Sequence, residues 1–347
     1  MKLQLLDKKT HLLDHMWLRI LICFLAPIFL FGILLVSQGI SPILAYKTIV
    51  TSVFGSTYTI GEVVVRATYL ILTAMAAILP ARVGLANAGG EGQMTIAATA
   101  VAVAGSTIFA EVPAVIAVPL LFVVGMLAGA AWAGIAVICK QLLNMNEILC
   151  TILLNYIAEY VICFLLYGVL KDPHGWNYPQ TVEVASHLRL PRYFGTRVTF
   201  GIFIALAVAI LVWVVLYKTR VGFTMRTVGG NQTAARFSGV RLKRVQSLVF
   251  AASGAIAGIA GTILILGVEG RMRTDAGATM GFMGFLTAGM VGNSPIWAIP
   301  SALLIGALDV AGNGVEIATG LPAATMQILI MLVLLTIMAV GGKKKHE

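Results

Sequence analysis

The chain has 347 residues, of which 59% are hydrophobic and only 11% are charged. A soluble globular chain carries about 25% charged residues, so this composition excludes a soluble domain and indicates a protein that crosses the membrane several times. The net charge of +10 does not indicate a nucleic-acid partner. The basic residues lie at the ends of apolar runs, where they set the orientation in the membrane.

Ten apolar runs approach the length of about 20 residues that a helix needs to cross a bilayer. In chain order the predicted spans are Leu18–Val36, Val63–Leu79, Met94–Ala110, Ala114–Cys139, Ile148–Leu170, Val198–Tyr217, Leu248–Val268, Met280–Val291, Ile296–Ala311 and Leu321–Val340. The predicted fold class is therefore an all-α polytopic membrane protein with about ten membrane segments. The eighth span is short and the third has a Gly-rich approach, so we expect broken or re-entrant helices at both places.

The distribution of Lys and Arg predicts the orientation. An even number of spans puts both termini on one side, and most basic residues then fall on that same side. The excess of positive charge predicts that both termini are cytoplasmic, in a cell (inner or plasma) membrane. The largest outer loop then covers residues 171–197, and the largest inner loop covers residues 218–247.

The chain reads as a single transmembrane domain, residues 1–347, with two halves. The first half is 1–197 and the second is 198–347. Each half contains a Gly/Asn-rich interruption, at residues 86–93 and 289–295. Such paired interruptions are typical of repeat-built transporters with a site near the membrane midplane, so we expect a repeat of two halves.

Polar residues at the first interruption are candidates for a substrate path. Asn87, Glu91 and Gln93 place a carboxylate and two amides beside a predicted helix break. A carboxylate within the membrane is costly and by default a functional candidate, and such groups hydrogen-bond hydroxyls or base edges. Equally, they can satisfy the backbone groups of the broken helix itself.

A second polar group lies at the start of the fifth span. Asn146, Glu147 and Asn155 are the candidates for the path there. The helix dipole alone favours a carboxylate at a helix N-terminus, so a structural role is the stronger interpretation for Glu147. Later in the chain, Gly254, Gly258 and Gly261 have the small-residue spacing of closely packed membrane helices.

The basic inner loop contains a pattern for a short helix. Gly229-Gly230 predict a turn, Asn231 a cap, and residues 233–238 a short helix that Gly239 ends. The alternative is a solvated loop that only sets orientation. The order Gly-Gly-Asn-x-x-Ala-Ala-Arg favours a helix that contacts a soluble partner.

Two stretches carry a family resemblance. Residues 226–239 and the Ser-Gly-Ala-Ile-Ala-Gly-Ile-Ala-Gly run at 253–261 resemble the permease subunits of ABC importers for branched-chain amino acids, ribose and nucleosides. Residues 87–94 and 146–157 are similar to the nucleoside importers that a basic membrane lipoprotein serves. The resemblance implies that the inner loop is the coupling helix that docks on the ATPase. The residues concerned are Arg226, Gly229, Asn231, Ala234, Ala235, Arg236 and Gly239.

The resemblance implies a permease subunit of an ATP-driven importer, most closely a nucleoside importer. Sugar (ribose-like) and riboflavin importers are alternatives of the same class, and an ion-coupled secondary transporter is an alternative of another class. The implied partners are a cytoplasmic ATPase subunit, a second permease subunit, identical or related, and an extracytoplasmic substrate-binding lipoprotein.

We expect neither enzymatic activity nor a cofactor. The chain has no Gly-x-x-x-x-Gly-Lys-Ser/Thr motif, so the partner subunit binds the ATP. No Ser/His/Asp set indicates catalysis, and the His and Cys residues lack the spacing of metal ligands.

Overall fold

The computed structural model describes residues 16–322 and 324–341, with side chains for residues 25–322 and 324–337. Within these ranges the regular structure is helical, apart from two isolated β-bridges in the 180–273 region. The helices are α1 Met16–Ser37, α2 Pro42–Phe54, α3 Thr57–Ala81, α4 Gly90–Ser106, α5 Ala114–Leu143, α6 Glu147–Tyr167, α7 Gly201–Lys218, α8 Arg220–Gly230, α9 Gln232–Phe237, α10 Leu242–Ile263, α11 Met280–Met290, α12 Pro295–Thr319 and α13 Ala324–Gly341. A 3-10 turn covers Ser186–Leu188, and a π-helical turn, Leu264–Glu269, extends α10.

Six of the described helices are long and apolar enough to cross a membrane: α3, α5, α6, α7, α10 with its extension, and α12. Helices α1 and α2 form a pair bent by 120° that gives a seventh span if it is counted as one. The predicted all-α class of a multi-pass membrane protein is confirmed. Helix α4 has 17 residues and α11 has 11, so both are shorter than the length of about 20 residues that a membrane span needs. The number of about ten segments stays a prediction.

Helix α2 was not predicted. Its 13 residues are too few for a span, so a search for runs of about 20 apolar residues passes over it. Gly39 has φ +75° and turns the chain after α1, and Pro42 occupies the first turn of α2, where its missing N–H is not needed. These two local residues therefore explain the break between the two helices.

The described chain packs as two compact units. One contains the residues up to Val63 and those from Leu304 onward, and the other contains residues 64–303. In the first unit α1 packs against α13, around a core that includes the fully buried Phe31 and Leu35. This grouping joins the two ends of the described chain, whereas the halves divided at residue 197 rest on the sequence alone.

In the second unit a seam of glycines joins α5 to α10. A Cβ atom added at Gly129 would overlap the carbonyl oxygen of Gly254, and one added at Gly258 would overlap that of Gly125. Each helix therefore contributes a Gly-x-x-x-Gly pair, and the two backbones touch. The predicted close packing at Gly254 and Gly258 is confirmed. Its partner, the pair on α5, has the same spacing and was missed.

The loop that follows α6 forms backbone hydrogen bonds with the end of the π-helical extension of α10. The backbone N–H of Leu190 donates to the carbonyl of Leu266, and that of Val184 donates to the carbonyl of Gly270, both at 2.8 Å. Carbonyl groups at a helix end lack helical partners, and here backbone N–H groups of the loop supply the donors.

We expect Gly129→Ala to lower the free energy of unfolding by about 1–3 kcal/mol, because the added methyl group forces the two backbones apart. Gly134→Ala is the matched control, since this glycine lies on the same helix and has open space at its Cβ position. The control should be neutral or slightly stabilising, because Ala favours helix over Gly. The measurement is the thermal unfolding of the purified protein in detergent. Equal changes in the free energy of unfolding for the two variants would contradict the close backbone contact at Gly129.

Candidate functional site

A cavity of about 370 Å³ lies in the second unit, between α4, α6, the N-terminal end of α11 and the segment that precedes α11. Its polar wall includes Glu91, Asn155 and Glu159, and its aromatic wall is formed by Tyr156 and Phe282. Two carboxylates, an amide and two rings thus face one space. Cavities of this size hold small organic molecules.

Glu91 caps a helix to which it does not belong. Its carboxylate accepts hydrogen bonds from the backbone N–H groups of Thr279, at 2.7 Å, and Phe282, at 3.3 Å. Helix α11 begins at Met280, and Thr279 provides no side-chain cap of its own. Free N–H groups at a helix N-terminus attract a negative charge, so Glu91 takes the place of a local Asp or Ser cap. A Cβ atom at Gly281 would overlap the backbone nitrogen of Glu91, so the approach requires glycine there.

Asn155, on α6, closes the N-terminal end of α4. Its Oδ1 accepts the backbone N–H of Gly92, and its Nδ2 donates to the carbonyl of Ala88, both at 2.9 Å. The Oγ1 of Thr151, one turn earlier, accepts the backbone N–H of Ala88 at 3.3 Å. The Gly-rich break before α4 therefore has its backbone groups satisfied by a neighbouring helix.

Asn87 and Gln93 form a buried pair behind this wall. Each amide donates to the other at 3.1 Å, and both side chains are only 1% exposed. Asn87 also donates to the hydroxyl of Ser253 at 2.7 Å, and this hydroxyl donates to the carbonyl of Ala76. The pair lies outside the cavity lining. Ser253 was missed as a partner, although a hydroxyl within the apolar run of α10 was a signal.

Asn146 and Glu147 lie at the start of α6 and do not line the cavity. The Oδ1 of Asn146 accepts the N–H groups of Ile148, at 2.9 Å, and Leu149, at 3.4 Å. Glu147 forms an ion pair with Lys140 at 2.6 Å. Of the six predicted path residues, the structure therefore brings Glu91 and Asn155 to the cavity.

The basic loop of residues 218–247 contains the predicted short helix. It runs from Gln232 to Phe237, and the side chain of Asn231 caps it by accepting the N–H of Ala234 at 3.0 Å. Gly239, with φ +81°, ends it. The predicted turn at Gly229-Gly230 is wrong, because both glycines form the last turn of α8. Gly229 instead allows close contact, since a Cβ atom there would overlap the carbonyl oxygen of Arg82.

The predicted coupling residues differ in exposure. Ala234 and Arg236 are exposed, whereas Ala235 is fully buried and offers no surface to a partner. Arg226 is half-buried, and its guanidinium lies 5.4 Å from the ring centre of Tyr217. Phe237 is 89% exposed and was missed. An aromatic side chain that ends a capped helix was the signal for it.

The sequence of this chain matches known transport proteins along most of its length. Residues 59–338 match the family described as branched-chain amino acid transport system / permease component. The chain is 33% identical to the glucose ABC transporter permease protein of Haloferax volcanii, over 93% of this chain and 87% of that protein.

Two other relatives are named for nucleosides. The chain is 29% identical to the guanosine ABC transporter permease protein NupP of Bacillus subtilis, over 88% of each chain. It is also 29% identical to the nucleoside ABC transporter permease protein NupB of Lactococcus lactis subsp. cremoris, over 82% of this chain and 81% of that protein. The chain therefore belongs to the branched-chain amino acid transport system permease family and is a membrane permease of an ABC transporter, not an enzyme.

Proposed function

We propose that this permease imports nucleosides, driven by ATP that a cytoplasmic ATPase subunit binds and hydrolyses. A second permease subunit completes the pore, and an extracytoplasmic lipoprotein delivers the cargo. The observation that carries the proposal is the cavity, whose lining combines the carboxylates of Glu91 and Glu159 with the rings of Tyr156 and Phe282. The relatives named for guanosine and nucleosides support it.

The chemistry of the cavity fits the two parts of a nucleoside. Carboxylates are acceptors, and ribose hydroxyls and the N–H groups of a base are donors. Aromatic rings stack on a flat base. The carboxylate of Glu91 already accepts two backbone N–H groups, so Glu159 is the acceptor with more capacity for the cargo.

We propose separate roles for the six predicted path residues. Glu91 and Asn155 line the path and also hold its wall together. Asn87 and Gln93 support the start of α4 from behind, and Asn146 and Glu147 fix the start of α6. All six then affect transport, but the last four act through the position of the wall.

A sugar is the alternative cargo, because the glucose permease is the more similar relative at 33% identity. A sugar supplies hydroxyl donors but no flat base for Tyr156 and Phe282. The test is uptake of labelled guanosine by cells that express the complete transporter, with unlabelled nucleosides, glucose, ribose and riboflavin as competitors. Competition by nucleosides alone supports the proposal, and competition by a sugar alone contradicts it. Loss of uptake on ATP depletion alone, with the ion gradients held constant, distinguishes ATP drive from ion coupling.

We expect Glu159→Gln to slow guanosine uptake at least about tenfold, because a hydrogen bond to a charged group contributes about 1.5–3 kcal/mol. Glu111→Gln is the matched control, since Glu111 is exposed and lies outside the cavity lining. Both rates are measured with saturating lipoprotein and corrected for the amount of protein in the membrane. Normal uptake by the Glu159→Gln variant would show that the cavity is not part of the transport path.

We propose that the exposed face of α9, formed by Asn231, Ala234, Arg236 and Phe237, docks on the ATPase. Exposed aromatic side chains of this kind are frequent anchors of interfaces, and removing an anchor costs about 2 kcal/mol or more. We therefore expect Phe237→Ala to weaken ATPase binding about 30-fold, measured by titration of the ATPase subunit onto the purified permease.

Phe194→Ala is the control for this change, because Phe194 is 86% exposed in the predicted outer loop. Ala234→Trp and Ala235→Trp form a second comparison. The first adds bulk to the exposed face and should block docking without unfolding, whereas the second fills a buried position and should destabilise the loop itself. Unchanged ATPase binding by both Phe237→Ala and Ala234→Trp would place the docking surface elsewhere.

The predicted orientation places α9 in the cytoplasm and the loop after α6 outside. A cysteine at the exposed position His174 should react with a membrane-impermeant thiol reagent added to intact cells. A cysteine at Gln232, which is also exposed, should react only after the cells are opened. The reverse pattern would invert the topology and separate α9 from any cytoplasmic ATPase.

A further inference from the structure

Helix α11 is held by charged or polar side chains at both of its ends. We propose that α11 transmits movement of the cytoplasmic loop α8–α9 to the wall of the cavity, and that Arg82, Tyr217 and Glu91 are the positioning residues of this link. The proposal rests on the proposed function, since it assumes that α9 docks on the ATPase and that cargo passes through the cavity.

At its N-terminal end α11 is part of the cavity. Thr279 and Phe282 line the space, and their backbone N–H groups both donate to the carboxylate of Glu91. The contact is tight, because Gly281 touches the backbone of Glu91 without room for a side chain. Any displacement of this end of α11 therefore changes the cavity wall or breaks the cap.

At its C-terminal end α11 is closed by a turn that Arg82 holds. The N–H of Asn293 returns to the carbonyl of Ala288 at 2.9 Å, which completes the turn. The Nη2 of Arg82 donates to the carbonyl of Asn293 at 2.5 Å and to the hydroxyl of Tyr217 at 2.9 Å. A single guanidinium therefore joins this turn to the end of α7.

Tyr217 continues the link to the cytoplasmic loop. Its ring centre lies 5.6 Å from the guanidinium of Arg82 and 5.4 Å from that of Arg226 on α8. Both distances are within the range of cation–π attraction. Helix α8 is separated from α9 by Asn231 alone. The contacts therefore run without a gap from the loop, through Tyr217 and Arg82, to the end of α11.

The length of α11 makes it suited to carry a displacement. Its 11 residues span about 16 Å as one hydrogen-bonded rod. The Oγ1 of Thr73 donates to the carbonyl of Met280, the first residue of α11, at 3.2 Å. One turn later, Gly284 leaves no space between α11 and this side chain. Helix α3 therefore packs directly against the side of α11 that carries Gly284.

The test uses the complete transporter, reconstituted in proteoliposomes with its ATPase and lipoprotein. The readout is the number of guanosine molecules taken up per ATP hydrolysed. We expect Arg82→Gln and Tyr217→Leu to lower this ratio at least fivefold while ATP hydrolysis continues. Arg244→Gln is the control for the loss of a positive charge, because Arg244 is exposed at the start of α10 and has no part in the link. It should leave the ratio unchanged.

A double variant tests whether the two ends of α11 belong to one link. Effects at independent sites multiply, whereas effects along one link do not. We expect Arg82→Gln combined with Glu91→Gln to lower the ratio no further than the more severe single change does. A product of the two single effects would show that the ends act separately and would overturn the proposal.

A labelling experiment reports the movement itself. Thr274 is exposed and lines the cavity, so a cysteine at this position reports access to the space. In a variant whose four native cysteines are replaced by serine, its labelling rate should differ at least threefold between the nucleotide-free and the ATP-bound transporter. Arg82→Gln should abolish this difference.

The outcomes separate the two proposals. If the Arg82→Gln and Tyr217→Leu variants keep both the uptake ratio and the difference in labelling, the proposed link is wrong, whereas the proposed function as an importer still holds. If the wild-type transporter takes up no guanosine with ATP, the proposed function fails and the link falls with it. If a variant does not assemble, Tyr217→Phe takes its place, because this change removes only the hydroxyl contact with Arg82. It should lower the uptake ratio by a smaller factor. An unchanged uptake ratio in Tyr217→Phe would contradict the link.

Discussion

The backbone groups at helix ends need hydrogen-bond partners, and within an apolar bundle water does not supply them. Helices α4 and α11 both begin within the second unit, so the free N–H groups at the start of each helix need partners from the protein. Asn155 meets this need for α4 and Glu91 meets it for α11. These two polar residues also line the cavity. For Asn155 and Glu91 a structural role is therefore compatible with the proposed role in the path.

The glycine seam sets the frame in which these hydrogen bonds form. Because Gly125 and Gly258 let the backbones of α5 and α10 touch, α10 lies close enough for Gly261 to reach the backbone of α4 at Met94. Helix α4 is thereby fixed from one side by α10 and from the other by Asn155 of α6. Small residues position the wall, and polar residues complete it. Neither set forms the cavity alone.

A local pattern in the sequence predicted the position of α9 well. Asn231 and Gly239 define a capped helix by themselves, so α9 was placed to within a residue at each end. The cap of α11 was not predictable, because Glu91 and Thr279 are 188 residues apart and α11 has no capping side chain of its own. The burial of individual side chains was not predictable from the sequence either. Nothing local distinguishes the buried Ala235 from its exposed neighbour, since the difference comes from what packs on the loop.

We propose that the cavity beside Glu91, Asn155 and Glu159 holds the cargo during transport. The most direct measurement is an experimental structure of the complete transporter in lipid, trapped during turnover with guanosine and a slowly hydrolysed ATP analogue. We expect density for the nucleoside in this cavity, with its base between Tyr156 and Phe282 and a hydroxyl or N–H group at Glu159. Cargo density along another route, with this cavity empty or closed by its own side chains, would contradict it.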